Sequence, residues 1–288
     1  MRVATSLRDP YSVGEVIYST SLIWGRNKGY SDLVGKTMRN TPINPAHKTL
    51  VLISAGQSNR TSVAPSAFSP LNSANIDNLN IYDGAIYAAA DPMLGCSYIA
   101  GGFGVPVIGH VMLRVADLFI TAGKFDRVII VPIAIAATSI ANWDNDSVLE
   151  DRIPAAIRRL AARGITPTTT GVTMAIEWGQ GEGDYATPSA TYTAALNRII
   201  DRSYDAGFDG RWFVAKQSYA NGSAFPNVIA GQIATVDNVD VFLSADSDAL
   251  IGVNRAVYGG DDTHMSDIGN ANLATAIYNA MVASGAPF

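Results

Sequence analysis

Five short apolar runs, several of them rich in β-branched residues, alternate with stretches of helical periodicity, and this alternation limits the possible folds more than any other feature. The runs lack a regular polar/apolar alternation, which is typical of strands buried on both faces. Helices that alternate with such strands cover a parallel sheet on both sides. The sequence therefore predicts an α/β fold, a three-layer α/β/α sandwich with a central parallel sheet of about five strands. The predicted strands are residues 49–54, 127–134, 171–178, 211–216 and 239–244.

Four amphipathic segments lie between or after these strands and predict core-facing helices. Each segment ends before a glycine, the residue that adopts a left-handed C-cap conformation without steric cost. These glycines are Gly123, Gly164, Gly207 and Gly285. A fifth, weaker helix is predicted near residues 228–235. The apolar residues that recur at intervals of three and four are Val111, Val115, Leu118 and Phe119; Ile153, Ile157 and Leu160; Tyr192, Leu196, Ile199 and Ile200; and Leu273, Ile277 and Met281.

Composition narrows the classes of partner and cofactor. The 288 residues are 48% hydrophobic and 16% charged, and the net charge of −5 comes with no basic run, which argues against a nucleic-acid or anionic-membrane partner. One cysteine and three widely spaced histidines predict neither a disulfide nor a structural zinc site, and we expect no metal and no cofactor. The longest apolar run is too short to span a membrane, which predicts a soluble protein.

The chain divides at about residue 46. Residues 1–46 are polar, with scattered Gly, Asn and Pro, and predict an N-terminal extension; residues 47–288 form the predicted α/β domain. The extension has three open roles: wrapping the domain, packing in an oligomer, or docking on a larger assembly. The N-terminus lacks the apolar core of a secretory signal, but an extracellular, virion-associated or cytoplasmic location all stay open. Residues 60–106 are predicted to be an insertion that frames a site.

A candidate nucleophile follows the first strand, in the block Ala-Gly-Gln-Ser-Asn that contains Ser58. Ligands of open parallel sheets bind beyond the carboxyl ends of the strands, and a serine on a tight turn there exposes its hydroxyl. Near the other end of the chain, Asp261 precedes His264 by three residues. An aspartate at this spacing orients an imidazole as the base for a serine. Ser58, His264 and Asp261 are therefore the predicted catalytic residues.

Two further loops supply candidate donors for an oxyanion. The third strand is followed by a glycine-rich loop in which the side chain of Gln180 is the only amide, and the second strand is followed by backbone amides that include those of Ala136 and Ala137. An oxyanion hole needs such N–H donors aimed at the developing charge. The predicted oxyanion hole consists of the Ser58 backbone N–H, the Ala136 or Ala137 N–H and the Gln180 side chain.

These blocks together resemble the SGNH hydrolases, and within them the carbohydrate acetylesterase branch that includes sialate O-acetylesterases and acetylxylan esterases. That branch carries a Gly-Gln-Ser-Asn block, a Gly-Gly-Thr-Ser-Ile block followed by Trp, a Trp-His-Gln-Gly-Glu-Ser-Asp block and a terminal Asp-x-x-His. The match runs from Val51 to Gly269. The resemblance implies a flavodoxin-like strand order of 2-1-3-4-5 and the roles given above for Ser58, His264 and Asp261.

The chain departs from this pattern at two places. Ala136 and Ala137 stand where the branch has two glycines, so a positive φ there would strain the oxyanion hole. Gly179 and Gly183 replace the His and Ser of the third block. Glu182 and Asp184 are retained and are expected to hold loops. Residues of these blocks and of nearby loops are the candidates for substrate contact: Gln57, Asn59, Gly104, Trp143 and Glu182.

The resemblance implies a serine esterase that releases acetate from an O-acetylated carbohydrate through an acetyl-enzyme. Aromatic residues in the loops suit a sugar ring, and they are Tyr82, Tyr98, Trp143, Tyr185 and Tyr219. Two alternatives stay open. One is a glycan-binding module that has lost catalysis, and the other is an acylhydrolase that acts on a lipid or thioester.

Overall fold

In the computed structural model, the described residues are 31–97, 108–255 and 262–286. Within them, the main sheet has seven strands in the order β4-β3-β6-β1-β7-β8-β9. The strands are β1 (Thr49–Gly56), β3 (Ile76–Leu79), β4 (Ile86–Ala88), β6 (Arg127–Pro132), β7 (Val172–Gly179), β8 (Arg211–Lys216) and β9 (Val241–Asp246). A separate two-stranded ribbon pairs β2 (Ser62–Ala64) with β5 (Gly109–His110). The five predicted strands are β6, β1, β7, β8 and β9; they are parallel, which confirms both the fold class and the order 2-1-3-4-5.

Strand boundaries shift where local hydrogen bonds compete with the sheet. The predicted fifth strand begins two residues later, at Val241, because the Asp237 carboxylate accepts hydrogen bonds from the backbone N–H groups of Val239, Asp240 and Val241. This turn uses donors that would otherwise be free for strand pairing. The first strand runs two residues further than predicted because Gly56 still pairs with Gly179 of β7. The sheet edge that carries the site therefore lies beyond this pair.

The insertion contributes strands that the sequence did not predict. β3 pairs in parallel with β6, and β4 pairs antiparallel with β3. The polar residues of β3 are buried with long-range partners: Asp77 forms an ion pair with Arg127, and Asn78 hydrogen-bonds the backbone N–H and C=O of Leu94. The predicted insertion, residues 60–106, therefore contains regular strands, because these partners satisfy polar groups that locally look like a loop.

The helices are α1 (Val111–Thr121), α2 (Arg152–Ala161), α3 (Ser189–Asp205), α4 (Pro226–Ile233) and α5 (Asp267–Ala283). Side chains of β1 alternate between two apolar cores: Leu50 and Leu52 lie in the core with residues of α1 and α5, and Val51 and Ile53 in the core with residues of α2, α3 and α4. This arrangement gives the three predicted layers. All four predicted C-cap glycines have positive φ, from 63° to 94°.

The described end of the extension lies along the edge of β4. Arg39 N–H donates to the Ile86 carbonyl, Ala88 N–H donates to the Thr37 carbonyl, and the Arg127 side chain donates to the Thr41 carbonyl. Residues 31–46 therefore cover part of the sheet edge, while residues 1–30 lie outside the described residues. Across the described ranges, no helix combines the length and the apolar character needed to cross a membrane.

Candidate active site

Ser58 begins a short 3-10 turn, Ser58–Arg60, directly after β1. Two glycines allow this turn: Gly56 has a φ of 121°, and a Cβ there would lie 2.1 Å from the Gly179 carbonyl oxygen. Only a residue without a Cβ can lie this close to the Gly179 carbonyl, so the turn requires glycine at position 56. The Ser58 carbonyl accepts from the backbone N–H and the hydroxyl of Thr61, which closes the turn. Ser58 lies at the carboxyl edge of the sheet, as the sequence predicted.

The segment that carries His264 is tied to this turn by Asn59. The Asn59 side chain accepts from the Met265 backbone N–H at 3.1 Å and donates to the Thr263 carbonyl at 3.1 Å. The same Thr263 carbonyl accepts from the Arg255 guanidinium at 2.7 Å. The backbone on both sides of His264 is therefore held against the residue that follows Ser58. Asp261, the third predicted catalytic residue, lies outside the described residues.

Glu182 fixes the orientation of Asn59. Its buried carboxylate accepts from the Asn59 amide at 2.7 Å and from the Gln217 amide at 3.0 and 3.1 Å. Burial raises the pKa of Glu182, and the hydrogen bonds from Gln217 and Asn59 oppose that effect. Glu182 therefore links the loops after β1, β7 and β8.

Gln57 ties the Ser58 turn to the loop after β7. Its side-chain carbonyl oxygen accepts from the Gln180 amide at 3.1 Å and from the backbone N–H groups of Gly181 and Gly183, each at 3.2 Å. A Cβ at Gly183 would lie 2.9 Å from the Thr138 carbonyl oxygen. The glycine that replaces the serine of the related block therefore allows a close loop contact.

The Gln180 amide nitrogen is surrounded by protein acceptors. It donates to Asp184 at 2.5 Å, to the Thr138 carbonyl at 3.0 Å and to Gln57 at 3.1 Å, while its own side-chain oxygen accepts from Tyr192. An amide has two N–H donors, and three acceptors already share them. This geometry gives no support to the prediction that Gln180 donates to an oxyanion; it favours a role in holding loops.

The two alanines after β6 differ in what their N–H groups do. Ala136 N–H donates to the Ser97 hydroxyl at 2.9 Å, so it is already engaged. Ala137 is exposed and has a φ of 58°, the positive value that the sequence analysis associated with strain. Within the described ranges, no protein acceptor for the Ala137 N–H is found. Of the two predicted donors, Ala137 is the one that the geometry leaves available.

Arg60 fills the space that Gly179 leaves open. A Cβ at Gly179 would lie 2.5 Å from the Arg60 guanidinium carbon. This guanidinium forms two hydrogen bonds to the Glu177 carboxylate, at 2.5 and 2.8 Å, with both side chains fully buried. Glu177 also accepts from the Ser244 hydroxyl at 2.9 Å. The departure from the related block at this position is thus matched by a buried ion pair under the Ser58 turn.

Most of the predicted substrate contacts lie inside the protein. Trp143 is 1% exposed, packs edge-on against Trp178 and donates to the Thr138 hydroxyl, so no sugar ring can stack on it. Gln57, Asn59 and Glu182 are buried, and protein groups occupy the polar atoms described above. Gly104 lies outside the described residues.

Three residues that the sequence did not point to hold the loops of the site: Arg60, Gln217 and Arg255. Their partners are distant along the chain or are backbone atoms. The one local signal was the position of Arg60 directly after the Gly-Gln-Ser-Asn block. Its partner, Glu177, lies within the predicted third strand.

No protein-family model matches the sequence, and no curated protein matches it either. Solved structures do resemble the fold. A protein from Arabidopsis thaliana superimposes with a TM-score of 0.60 at 18% identity, covering 81% of this chain and 98% of that one. NanS gives a TM-score of 0.55 at 15% identity, covering 82% of this chain and 97% of that one. A carbohydrate acetylesterase from Xanthomonas citri gives 0.51 at 13% identity, covering 80% of this chain and 55% of that one.

These likenesses concern the backbone, since the identities are low. They agree with the resemblance to SGNH hydrolases that the sequence motifs carry. The chain therefore has the α/β fold of these three proteins.

Proposed function

We propose that the protein is a serine esterase that removes acetyl groups from an O-acetylated carbohydrate. The observation that carries the proposal is the pair of hydrogen bonds by which Asn59 holds the His264 segment beside the Ser58 turn. A serine and a histidine brought together at the carboxyl edge of a parallel sheet suit nucleophilic acyl transfer.

The reaction has two halves. His264 takes the proton of the Ser58 hydroxyl as its oxygen attacks the acetyl carbonyl, and Asp261 orients the imidazole. The N–H groups of Ser58 and Ala137 donate to the oxyanion of the tetrahedral intermediate. His264 then gives its proton to the departing sugar oxygen, which leaves an acetyl ester on Ser58. Water, deprotonated by His264, attacks that ester and releases acetate.

The carbohydrate part of the proposal has separate support. The sequence blocks resemble those of carbohydrate acetylesterases, and one structure with the same fold is a carbohydrate acetylesterase. The loops at the site are polar, with small residues such as Gly183, Asn221 and Ser223 at their surface. We propose no cofactor and no nucleic-acid partner, and docking of residues 1–46 on a larger assembly remains a separate proposal.

Acetate release tests the function. The substrates are p-nitrophenyl acetate and a panel of an O-acetylated xylooligosaccharide, an O-acetylated pectin oligosaccharide and an O-acetylated sialic acid. We expect Ser58→Ala and His264→Ala to lose at least about 1,000-fold in kcat/KM and Asp261→Asn to lose less. His47→Ala, an exposed histidine before β1, is the matched control and should keep full activity.

Three outcomes separate the candidates. Acetate release from the panel that depends on Ser58 supports the proposal. Release of p-nitrophenol from p-nitrophenyl octanoate, without release of acetate from the acetate esters, would assign a lipid or thioester acylhydrolase instead. Glycan binding without any acetate release would show a module that has kept the fold and lost catalysis.

A further inference from the structure

We infer that Tyr185 and Phe225 form a platform that binds a sugar ring of the substrate next to the catalytic serine. This inference rests on the proposed function and names the surface that selects a carbohydrate. It begins from an aromatic pair in the loops after β7 and β8, at the carboxyl edge of the sheet: Tyr185 is exposed, and Phe225 is half-buried with one side against the apolar core. The ring centroids of Tyr185 and Phe225 are 6.0 Å apart with an interplanar angle of 55°.

Tyr185 has an open ring face. Its side chain is 69% exposed, although burial of an aromatic ring is strongly favourable. Other aromatic residues of the loops are already used within the protein: Trp143 is buried in the core, and the Arg255 guanidinium lies 4.7 Å from the Tyr219 ring centroid. Tyr185 lies on the same loop as Gly183, which contacts the residue before Ser58, so its exposed ring is available to a ligand bound at this end of the sheet.

The backbone that carries the two rings is firmly held. The Asn227 amide donates to the carbonyls of Thr187 and Tyr185, at 2.7 and 3.3 Å. Phe225 N–H donates to the Ser218 hydroxyl at 2.7 Å, and that hydroxyl donates to Asp248 at 2.6 Å. Binding to a surface fixed in this way loses little loop entropy.

The platform lies within reach of Ser58. Gly183 N–H donates to Gln57, the residue before Ser58, at 3.2 Å. Tyr185 follows Gly183 by two residues, and each residue extends the chain by at most about 3.6 Å. The Cα atoms of Gly183 and Tyr185 are therefore within about 7 Å of each other. A short oligosaccharide whose acetyl group lies at Ser58 spans this distance.

The surroundings fit a sugar better than an acyl chain. A sugar ring offers C–H groups to an aromatic face and hydroxyl groups to polar neighbours, whereas an acyl chain needs a continuous apolar groove. Exposed residues close to the two rings along the chain include the polar Asn221 and Ser223 and the small Gly183 and Ala186. The pair is thus an aromatic surface with a polar rim.

The experiment compares two acetate esters, of which only the first contains a sugar. The first is the panel glycan with the highest kcat/KM for wild type, and the second is ethyl acetate, which has no ring to stack. For Tyr185→Ala and Phe225→Ala we expect about a tenfold loss of kcat/KM on the glycan, mostly as a higher KM, and less than a twofold change on ethyl acetate. Tyr185→Phe, which keeps the ring, should keep most of the glycan activity.

Val239→Ala is the matched control, because Val239 is an exposed apolar residue just before β9, at the opposite edge of the sheet. It should change neither activity. Equal losses on both esters in Tyr185→Ala would overturn the platform, since they would show a general effect on the site. A loss on p-nitrophenyl octanoate without one on the glycan would also overturn it, because the rings would then contact an acyl chain.

Failure of the proposed function is visible separately. If wild type releases acetate from none of the esters, the proposed esterase function is wrong. The platform is then tested by calorimetric binding of the acetylated xylooligosaccharide to Ser58→Ala. Binding that weakens about tenfold in Ser58→Ala/Tyr185→Ala supports the platform. Equal binding by the two variants, or no binding by either, overturns it.

Discussion

Asn59 holds the backbone on both sides of His264, accepting from the Met265 N–H and donating to the Thr263 carbonyl. Residues more than 200 positions apart in the chain are joined by this one side chain. Glu182 in turn orients the Asn59 amide. The position of the proposed base therefore depends on a buried amide and a buried carboxylate that touch no reacting atom.

Asn59→Ala is expected to lower kcat on p-nitrophenyl acetate by about 100-fold with little change in KM. Displacing a catalytic group by about 1 Å costs a factor of this size, and the loss falls on the transition state rather than on substrate binding. Steady-state kinetics measures the two parameters separately.

Asn78→Ala is the matched control for this variant. Asn78 is as buried as Asn59, and its side chain likewise hydrogen-bonds one backbone N–H and one backbone C=O, both of them of Leu94. It lies on β3, away from the site. Asn78→Ala should lower the free energy of unfolding without lowering kcat. If both variants lose activity to the same extent, Asn59 acts on folding and not on His264.

Removing one partner of the buried Arg60–Glu177 pair should destabilise the fold strongly. Arg60→Met leaves the Glu177 carboxylate buried without its guanidinium, which costs about 3–5 kcal/mol of unfolding free energy. Arg60→Met/Glu177→Gln should recover much of this loss because no charge is left unpaired. Urea unfolding of the single and double variants measures the coupling, and additive losses would contradict it.

Gly179→Ala tests the space that Arg60 occupies. In wild type the new methyl group overlaps the guanidinium, and we expect a loss of about 1–3 kcal/mol. In the Arg60→Met/Glu177→Gln background the flexible Met side chain can move aside, so the loss should shrink. A loss of equal size in both backgrounds would show that the clash is with another group.

Ala137→Gly should raise stability by up to about 1 kcal/mol, because glycine adopts a φ of 58° without strain but gains entropy in the unfolded chain. The N–H proposed for the oxyanion hole is kept, so kcat should stay within about twofold. Asp146→Gly, at another exposed position with a φ of 58°, is the control for the stability effect alone. A large fall in kcat for Ala137→Gly would mean that its methyl group positions the substrate.

The central sheet could be predicted because its strands need no distant partner to be recognised. The apolar runs of β1, β6, β7, β8 and β9 and the glycines that end the helices are local signals of burial and chain reversal. By contrast, β3 contains Asp77 and Asn78, which read as loop residues until Arg127 and Leu94 are placed beside them. The sequence separation of these partners is the reason that the edge of the sheet was missed.

The same reasoning applies to the site. The Ser58 turn follows from a motif within four residues, and the expectation that Glu182 and Asp184 hold loops agrees with their contacts. Arg60 and Arg255 were missed because their roles depend on Glu177 and on the Thr263 carbonyl, which only the fold brings to them. Trp143 is likewise buried by residues that only the fold brings together, in the core that contains residues of α2, α3 and α4. The polar residues around it in the sequence gave no sign of this burial.

Asp91 and His110 should oppose each other in the pH dependence of stability. Burial raises the pKa of Asp91 to about 7, although the N–H groups of Phe68 and His110 and the charges of Lys36 and Arg114 favour its ionised form. Burial, together with the nearby charge of Arg60, lowers the pKa of His110 to about 3. Between about pH 4 and 6.5 the folded protein therefore keeps Asp91 protonated and His110 neutral, while the unfolded chain has both groups charged.

Each group contributes a slope of about 1.4 kcal/mol per pH unit in that window, with opposite signs. Folding takes up a proton at Asp91, so its contribution to stability grows as the pH falls from 7 toward 4. Folding releases a proton at His110, so its contribution is lost as the pH falls below 6.5. The two slopes offset each other in wild type, and urea unfolding of variants at several pH values should uncover each slope when the other group is removed. Asp91→Asn should lose stability on acidification relative to wild type, and His110→Asn, which keeps an N-cap acceptor for Met112, should gain it. Parallel pH profiles for the two variants would contradict the assignment.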